Sequence, residues 1–284
     1  MCSSDLSGRY EDALPHLEQV LDAGGDDPIA LRKMGDALMH LSRYAEAVEV
    51  FNALLEINPG SVAAEKSRGV AFLHLGDHEK ALAAFDRARE GDPADQSILL
   101  DRSTALERLG RYEEALESIN RVTEASPGDT GTLTRKAWIL EALGRYADAA
   151  DCYETLLATA PDAGGNRLNL GMALAALGRY EEAAEEFGAV LEGDPRDLAA
   201  WFNRGRALER MGRYAGAAEC YAKVTGERPE DAGACFALAV TLARLGRHRE
   251  AIEYCDRVLA SDAPNTATIQ KIRRSEEHTS ELQS

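Results

Sequence analysis

The sequence predicts an all-α fold made of antiparallel helix pairs that repeat every 34 residues. Hydrophobic residues make up 45% of the 284 residues but aromatic residues only 6%, a mix that favours close-packed helices over a sheet. A phrase of the type Leu-Gly-Arg-Tyr recurs at a constant interval. The apolar residues on either side of the phrase follow helical spacing. Together these observations indicate a solenoid of helix pairs.

The recurring phrase defines the register of the repeat. It occurs at Leu41–Tyr44, Leu75–His78, Leu109–Tyr112, Leu143–Tyr146, Leu177–Tyr180, Met211–Tyr214 and Leu245–His248. Because no insertion interrupts the 34-residue step, complete repeats are predicted at 28–61, 62–95, 96–129, 130–163, 164–197, 198–231 and 232–265. Residues 7–27 are predicted to be the second helix of a truncated repeat, and 266–273 the start of a further one.

Each repeat contains its own helix starts and stops. In 96–129, apolar spacing predicts a first helix of about fourteen residues. Gly110 ends this helix, because glycine enters the left-handed region without strain. A second helix starts near Tyr112, and Pro127 blocks its continuation. Two helices joined by so short a turn lie antiparallel.

Small residues are predicted where the two helices of a pair cross. The eighth place of the repeat holds Gly35, Gly69, Ser103, Ala137, Gly171, Gly205 and Ala239. We expect it to face an alanine of the second helix, which is Ala47, Ala81, Ala115, Ala149, Ala183, Ala217 or Ala251. Larger residues, among them Phe51 and Tyr221, are expected to fill the space between neighbouring repeats.

This 34-residue pattern of small, Gly, Tyr, Ala, aromatic and Pro places resembles the tetratricopeptide repeat family over residues 7–273. The resemblance implies a right-handed superhelical solenoid whose first helices line a concave groove for a protein or peptide. Ser42, His78, His248 and Ala263 depart from the pattern, and these departures leave the fold prediction unchanged.

The two ends do not fit the repeat. Residues 1–6 and 274–284 resemble a translated sequencing adapter read on opposite strands, and the alternative is a pair of native polar tails. We expect a turn at Gly8–Tyr10 and a helix that stops near Arg273. In the adapter interpretation the chain is a fragment of a longer array, and we expect end-to-end association of its uncapped ends.

Charge and composition exclude several classes of function. A net charge of -17 argues against a nucleic-acid partner. No apolar run is long enough to cross a membrane, and no leader is visible, so we expect a cytoplasmic protein. Cys2, Cys152, Cys220, Cys235 and Cys255 lack metal-site spacing, which predicts reduced core thiols and neither a metal nor a cofactor.

A binding groove is predicted on the first helices. These helices carry a net +7 against -24 on the remainder, which together make the total of -17. This partition favours an acidic peptide. The candidate peptide-binding residues are Arg135, Trp138, Leu168, Asn169, Met172, Phe202, Asn203, Arg206, Arg210 and Phe236.

Purely structural interpretations of the same residues stay open. Arg68, Arg102 and Arg204 could only cover apolar surface and pair with nearby acids. Phe202 and Phe236 could complete the packing between first helices. Asn169 and Asn203 occupy one equivalent place, at which some family members bind a peptide backbone, but only two of seven repeats have Asn there.

The predicted function is that of a protein- or peptide-binding scaffold. The alternative is a substrate-recruiting arm of a larger enzyme, for instance a glycosyltransferase or kinase, and a third possibility is self-assembly. No catalytic motif occurs in 7–273, so the chain itself is not predicted to be an enzyme.

Overall fold

A computed structural model describes residues 3–24, 27–161, 163–260 and 266–282, and in these residues the chain is all α-helical. The chain divides into two compact units, Met1–Leu143 and Gly144–Ser284. Within each unit, helices consecutive in sequence pack against each other. The predicted fold class, an all-α repeat solenoid, is confirmed.

Among the residues that the structure describes, eight helices belong to each compact unit. The first unit contains α1 (Ser3–Gly24), α2 (Pro28–His40), α3 (Tyr44–Ile57), α4 (Val62–Leu75), α5 (His78–Gly91), α6 (Gln96–Arg108), α7 (Tyr112–Ala125) and α8 (Thr130–Ala142). The second contains α9 (Tyr146–Thr159), α10 (Gly164–Ala176), α11 (Tyr180–Gly193), α12 (Leu198–Arg210), α13 (Tyr214–Glu227), α14 (Ala232–Arg244), α15 (His248–Ala260) and α16 (Thr266–Leu282).

The turn inside each helix pair depends on a left-handed residue. Gly110 has φ 71°, and its neighbour Arg111 donates its N–H to the Leu106 carbonyl at 2.9 Å. This bond closes the end of α6 and reverses the chain. Ser42 takes the same conformation with φ 59°. The turn chemistry predicted from the recurring phrase is therefore what the structure contains.

The connection between successive repeats combines an extended residue with a capped helix start. Ser126, which precedes Pro127, has φ -138°, because the proline ring excludes the α region for the residue before it. Asp129 then accepts a hydrogen bond from the Thr132 N–H at 2.7 Å. Six of the first helices from α2 to α14 have such an Asp or Ser cap. The N-cap residue of α10 is Ala163, which forms no side-chain cap.

The aromatic residues of the second helices lie over the glycine of their own repeat. A Cβ on Gly205 would lie 2.7 Å from Cε1 of Tyr221, and one on Gly35 would lie 2.5 Å from Cε1 of Phe51. The rings thus pack within their own repeat, and Tyr221 also belongs to one core cluster with Leu238 and Leu242 of the following repeat, as the sequence led us to expect. Glycine is required at the crossing because the ring of the second helix occupies the volume of a Cβ.

Arginines at the seventh place connect successive repeats. Arg68 donates to Asn52 at 2.8 Å and pairs with Glu65. Arg102 donates to Asp86 at 2.7 Å and to Ser118 at 2.7 Å. The alternative that the sequence left open, in which these side chains pair with nearby acids, describes both of them. The buried Nε of Arg204 has no acceptor in the described residues, and neither has that of Arg68, which is bonded through its other two nitrogens.

The helices at both ends are longer than predicted. The expected turn at Gly8–Tyr10 is helical and lies inside α1, since an interior glycine costs a helix only about 1 kcal/mol. The helix predicted to stop near Arg273 continues to Leu282. No Gly or Pro interrupts α16, and Arg273 pairs with Asp256 at 2.7 Å. Cys2 and Ala263 lie outside the described residues.

Candidate functional site

The tyrosines at the starts of second helices, and Tyr10 at the equivalent place within α1, have a face that the next repeat can cover. His40 stacks on Tyr10 at 4.4 Å between ring centroids, and His74 stacks on Tyr44 at 4.3 Å. In the second compact unit, guanidinium groups do the same. Arg210 lies 5.9 Å from the centroid of Tyr180, and Arg244 lies 5.4 Å from that of Tyr214. All four covering groups are planar and occupy the thirteenth place of their repeats.

Ala176 occupies this thirteenth place above Tyr146 and is too short to cover it. An open pocket of about 430 Å³ is found there, within the range of roughly 300–1,000 Å³ that is usual for ligand sites. We call it the tyrosine pocket. Its walls are Tyr146, Met172, Ala175, Ala176, Tyr180, Phe187, Asn203, Arg206, Ala207 and Arg210.

The walls of the tyrosine pocket differ in chemistry along its length. Tyr146 and Tyr180 begin the second helices α9 and α11, and Ala176 and the exposed Met172 lie on α10. Asn203 and the guanidinium groups come from α12. The pocket therefore offers aromatic and apolar surface on one side, and hydrogen-bond donors on the other.

An adjoining cleft of about 320 Å³ continues the basic wall; it is lined by Arg206, Glu209, Arg210, Tyr214 and Arg244. We call it the arginine cleft. Arg206 and Arg210 line both cavities. In the parts of the chain that the structure describes, none of the three arginines forms an ion pair with a carboxylate, whereas Arg167 pairs with Glu186 at 2.9 Å. The arginine cleft thus contains three guanidinium groups and one carboxylate, that of Glu209.

Glu209 is held by a buried tyrosine. The Tyr221 hydroxyl donates to the Glu209 carboxylate at 3.0 Å. Burial, followed by the charge of Glu209, raises the pKa of Tyr221 well above its usual range. The tyrosine therefore stays protonated at neutral pH and anchors the carboxylate. Arg206 and Arg210 are therefore the groups of the cleft whose N–H donors can bind an acceptor of another molecule.

The structure brings together some of the candidate groove residues. Met172, Asn203, Arg206 and Arg210 line the tyrosine pocket. Asn169 is partly exposed on α10 outside that lining.

Three of the candidate apolar residues pack between helices. Leu168 packs against a core cluster formed by Val190, Leu191 and Ala200. Phe202 packs on Tyr221, with 5.5 Å between ring centroids, and Phe236 joins the cluster around Cys255. The packing interpretation that the sequence left open describes both phenylalanines.

Two candidate residues lie in the first compact unit. Arg135 pairs with Glu107 at 2.7 Å and donates to Thr104 at 2.6 Å, so its donors are used inside the chain. Trp138 is 47% exposed and meets the edge of Tyr112, with 5.8 Å between ring centroids.

Sequence reasoning missed four groups of this site. Tyr146, Tyr180 and Tyr214 were assigned only to turns, and Ala176 was not considered. A signal did exist, because the thirteenth places read His, His, Arg, Ala, Ala, Arg, Arg in chain order. The two alanines, Ala142 and Ala176, are too short to stack on Tyr112 and Tyr146, and Tyr112 is met at its edge by Trp138.

The buried cysteines show no sign of reactive chemistry. Cys152, Cys220, Cys235 and Cys255 are buried. Burial raises the pKa of Cys220 and of Cys255 to about 11. A thiol with so high a pKa stays protonated at neutral pH and is a poor nucleophile. These residues therefore act as small apolar groups of the core.

Fold and site together define an all-α repeat protein of the scaffold class, with an open pocket lined by residues of α9, α10, α11 and α12. The sequence profile of the Tetratricopeptide repeat matches residues 7–62, 63–130, 134–197, 168–224 and 202–266. The chain belongs to the tetratricopeptide repeat family, whose repeats generally mediate protein interactions.

Solved structures with the same fold differ widely in sequence. The C-terminal part of a TPR repeat-containing protein from Cytophaga hutchinsonii is 19% identical, with a TM-score of 0.69 over 83% of this chain and 97% of its own. A tetratricopeptide repeat protein from Parabacteroides merdae is 19% identical, with a TM-score of 0.54 over 94% and 98%.

The MamA protein is also 19% identical, with a TM-score of 0.55 over 58% of this chain and 90% of its own. Identities this low support the fold alone. The comparison with curated protein sequences found no match. Among the described helices, none has the length and apolar character needed to cross a bilayer.

Proposed function

We propose that the chain is a non-catalytic scaffold that binds a peptide segment of another protein across α10, α12 and α14. The observation that carries the proposal is the tyrosine pocket, an open cavity of about 430 Å³ on the first helices. Its apolar walls can bury a side chain, and Asn203 can donate to and accept from a peptide backbone. The proposal keeps the idea of a groove from the sequence and centres it on the repeats at 164–197 and 198–231.

Electrostatics favour an acidic segment. The chain carries a net charge of -17, yet Arg206, Arg210 and Arg244 are gathered around one cleft. Guanidinium groups bind carboxylates in a forked, bidentate geometry. The basic patch attracts acidic residues of a partner. The acidic remainder of the surface repels any further acidic residues of that partner.

Selection from a random peptide library tests this function. Peptides displayed on phage are selected on the immobilised chain and then measured on the double variant Asn203→Ala/Arg206→Ala. The matched control is Lys223→Ala, an exposed position on α13 outside both cavities. We expect the selected peptides to lose binding to the double variant and to keep it with the control.

The proposal fails if selection enriches no peptide, or if enriched peptides bind both variants equally. Circular dichroism of each variant excludes loss of fold as the cause. Phe202 and Phe236 are unsuitable probes, because they pack in the core clusters and their truncation would change stability.

A further inference from the structure

The tyrosine pocket lacks a planar group that four equivalent positions of the chain possess. At Tyr10 and Tyr44 the planar group is an imidazole, stacked at interplanar angles of 11° and 3°. At Tyr180 and Tyr214 it is a guanidinium. At Tyr146 the covering place is Ala176, and the face borders an open cavity.

We propose that the partner segment inserts an aromatic side chain over Tyr146, with acidic residues a few positions away that reach Arg206 and Arg210. This proposal rests on the proposed function and specifies the chemistry of the bound peptide. The aromatic ring takes the position that His40 and His74 take over their tyrosines. Offset-stacked and edge-on ring pairs add attraction beyond the burial of apolar area.

The charges around the pocket select an aromatic group over a basic planar group. Arg206 and Arg210 both line the tyrosine pocket, and no described carboxylate pairs with either. An incoming arginine would place a third cation beside them, and like charges brought this close repel. A neutral ring has no such cost, and its positive edge is compatible with a neighbouring carboxylate.

The spacing of the arginines suits two carboxylates. Arg206 and Arg210 are four residues apart on α12, so their backbones are separated by about 6 Å along the helix axis. Arg244 lies across the arginine cleft on α14. A segment that places its ring over Tyr146 therefore passes the guanidinium groups with its neighbouring side chains. Hydrogen bonds from a guanidinium to a carboxylate are charge-assisted and are stronger than hydrogen bonds between neutral groups.

Defined peptides test the inference directly. The probes are the fluorescein-labelled octapeptide Gly-Ser-Trp-Gly-Glu-Glu-Asp-Gly and the same residues in reversed order, measured by fluorescence anisotropy on the full chain. Two comparison peptides replace Trp by Leu, or the three acids by Gln, Gln and Asn. We expect at least one acidic Trp probe to bind about tenfold more tightly than its Leu counterpart and its amide counterpart.

A matched pair of substitutions locates the ring. Ala176→His supplies the stacking group that His40 and His74 provide elsewhere, and should weaken the Trp probe about tenfold by occupying its position. Ala142→His places the same side chain at the thirteenth place of the preceding repeat, outside the tyrosine pocket. We expect this control to leave the affinity unchanged.

A second pair of substitutions locates the carboxylates. Arg210→Gln should weaken the acidic Trp probe but not its amide counterpart, whereas Arg108→Gln at the equivalent place of an earlier repeat should affect neither. Equal binding of the Leu peptide, or equal loss with Ala142→His, would overturn the aromatic part. Equal binding of the amide peptide would overturn the acidic part.

The failures of the two proposals are distinguishable. If the library yields peptides that depend on Asn203 and Arg206 but none of the Trp probes binds, the scaffold function stands and this inference falls. If neither the library nor the probes bind in a manner that depends on the pocket, both fall. Circular dichroism of every variant checks that its helix content equals that of the parent chain.

Discussion

Helix capping shows how one residue changes the stability of a repeat. Asp129 accepts from both the N–H and the hydroxyl of Thr132. These bonds, the hydroxyl first, lower the pKa of Asp129 below its usual value. Ala163 stands at the same place before α10 and provides no side-chain cap. The first turn of α10 also begins with Gly164 and Gly165, so this helix start is weaker than its equivalents.

We therefore expect Ala163→Asp to stabilise the chain by about 1 kcal/mol, the usual value of an N-cap. The measurement is urea unfolding followed by circular dichroism at pH 7. A cap lowers the folded-state pKa of the aspartate, so the gain should be present above the unfolded pKa and disappear as the pH falls through the folded value. Ala163→Leu is the control, and an equal gain from it would contradict the capping explanation.

Packing inside six of the helix pairs follows a rule of complementary volume, from which the repeat at 130–163 departs in sequence because it combines Ala137 with Tyr153. Gly35, Gly69, Gly171 and Gly205 face Phe51, Phe85, Phe187 and Tyr221 respectively. The repeats at 96–129 and 232–265 instead combine Ser103 with Ile119 and Ala239 with Cys255. All of these large partners are fully buried. A larger residue on the first helix is thus matched by a smaller one on the second, which keeps the packing density constant.

A double-mutant cycle at Gly205 and Tyr221 tests this rule. Gly205→Ser introduces a Cβ 2.7 Å from the ring and should cost about 1–3 kcal/mol by overpacking. Tyr221→Ile should cost a similar amount by leaving a cavity. The double variant reproduces the Ser103 and Ile119 combination, and we expect it to lose less stability than the two single variants added together. Additive losses in urea unfolding would refute the rule.

Arg204 occupies the place of an arginine that links two helices, but its buried Nε has no acceptor among the described residues. Arg102 bonds to Asp86, sixteen residues before it, whereas the corresponding position for Arg204 is Gly188. A Cβ on Gly188 would lie 3.7 Å from Cζ of Arg204, which is ordinary contact. The adjoining cavity of about 450 Å³ provides room for a longer side chain. A buried guanidinium N–H without an acceptor is costly.

Gly188→Asp should therefore stabilise the chain, by about 1–2 kcal/mol from the new charge-assisted bond and the gain in helix propensity. Ala222→Asp is the matched control. It occupies the same place one repeat later, where the residue sixteen positions on is Leu238 and no cation is available. Unfolding in urea should show a gain for the first variant only. A gain of the same size in both would remove Arg204 from the explanation.

The whole molecule carries its charge unevenly. The net charge is -17, while the short-range ion pairs, such as Arg43 with Glu46 and Arg179 with Glu182, are exposed and contribute little to stability. Repulsion among the unpaired acids opposes the compact state over longer distances. The overall electrostatic contribution at low salt is therefore unfavourable, although individual pairs are favourable.

We expect salt to stabilise the molecule. Raising NaCl from about 10 mM to about 150 mM shortens the Debye length from roughly 30 Å to roughly 8 Å, which screens long-range repulsion more than contact pairs. The thermal midpoint measured by circular dichroism should increase over this range, and by less at pH 5, where part of the carboxylates are protonated. A midpoint that falls with salt would mean that the ion pairs outweigh the repulsion.

Local chemistry made the helix pairs and their register predictable. The left-handed glycine such as Gly110, the proline after most of the second helices and the apolar spacing all act within a few residues of chain. The contacts that the sequence did not indicate concern groups that meet through space. The aromatic rings were expected between repeats, and their close contact with the glycines of their own repeats was not predicted.

By itself the sequence determined an all-α chain of 34-residue helix pairs with arginines on its first helices. Only the tertiary structure decided which of those arginines are bound to other groups of the chain and which line an open cavity. Arg102 and Arg135 are bound to groups of neighbouring helices, whereas Arg206 and Arg210 line an open cavity. The position of the cavity depends on Ala176 meeting Tyr146, thirty residues earlier. Whether a side chain is covered depends on its neighbour in space, and helical periodicity alone does not specify that neighbour.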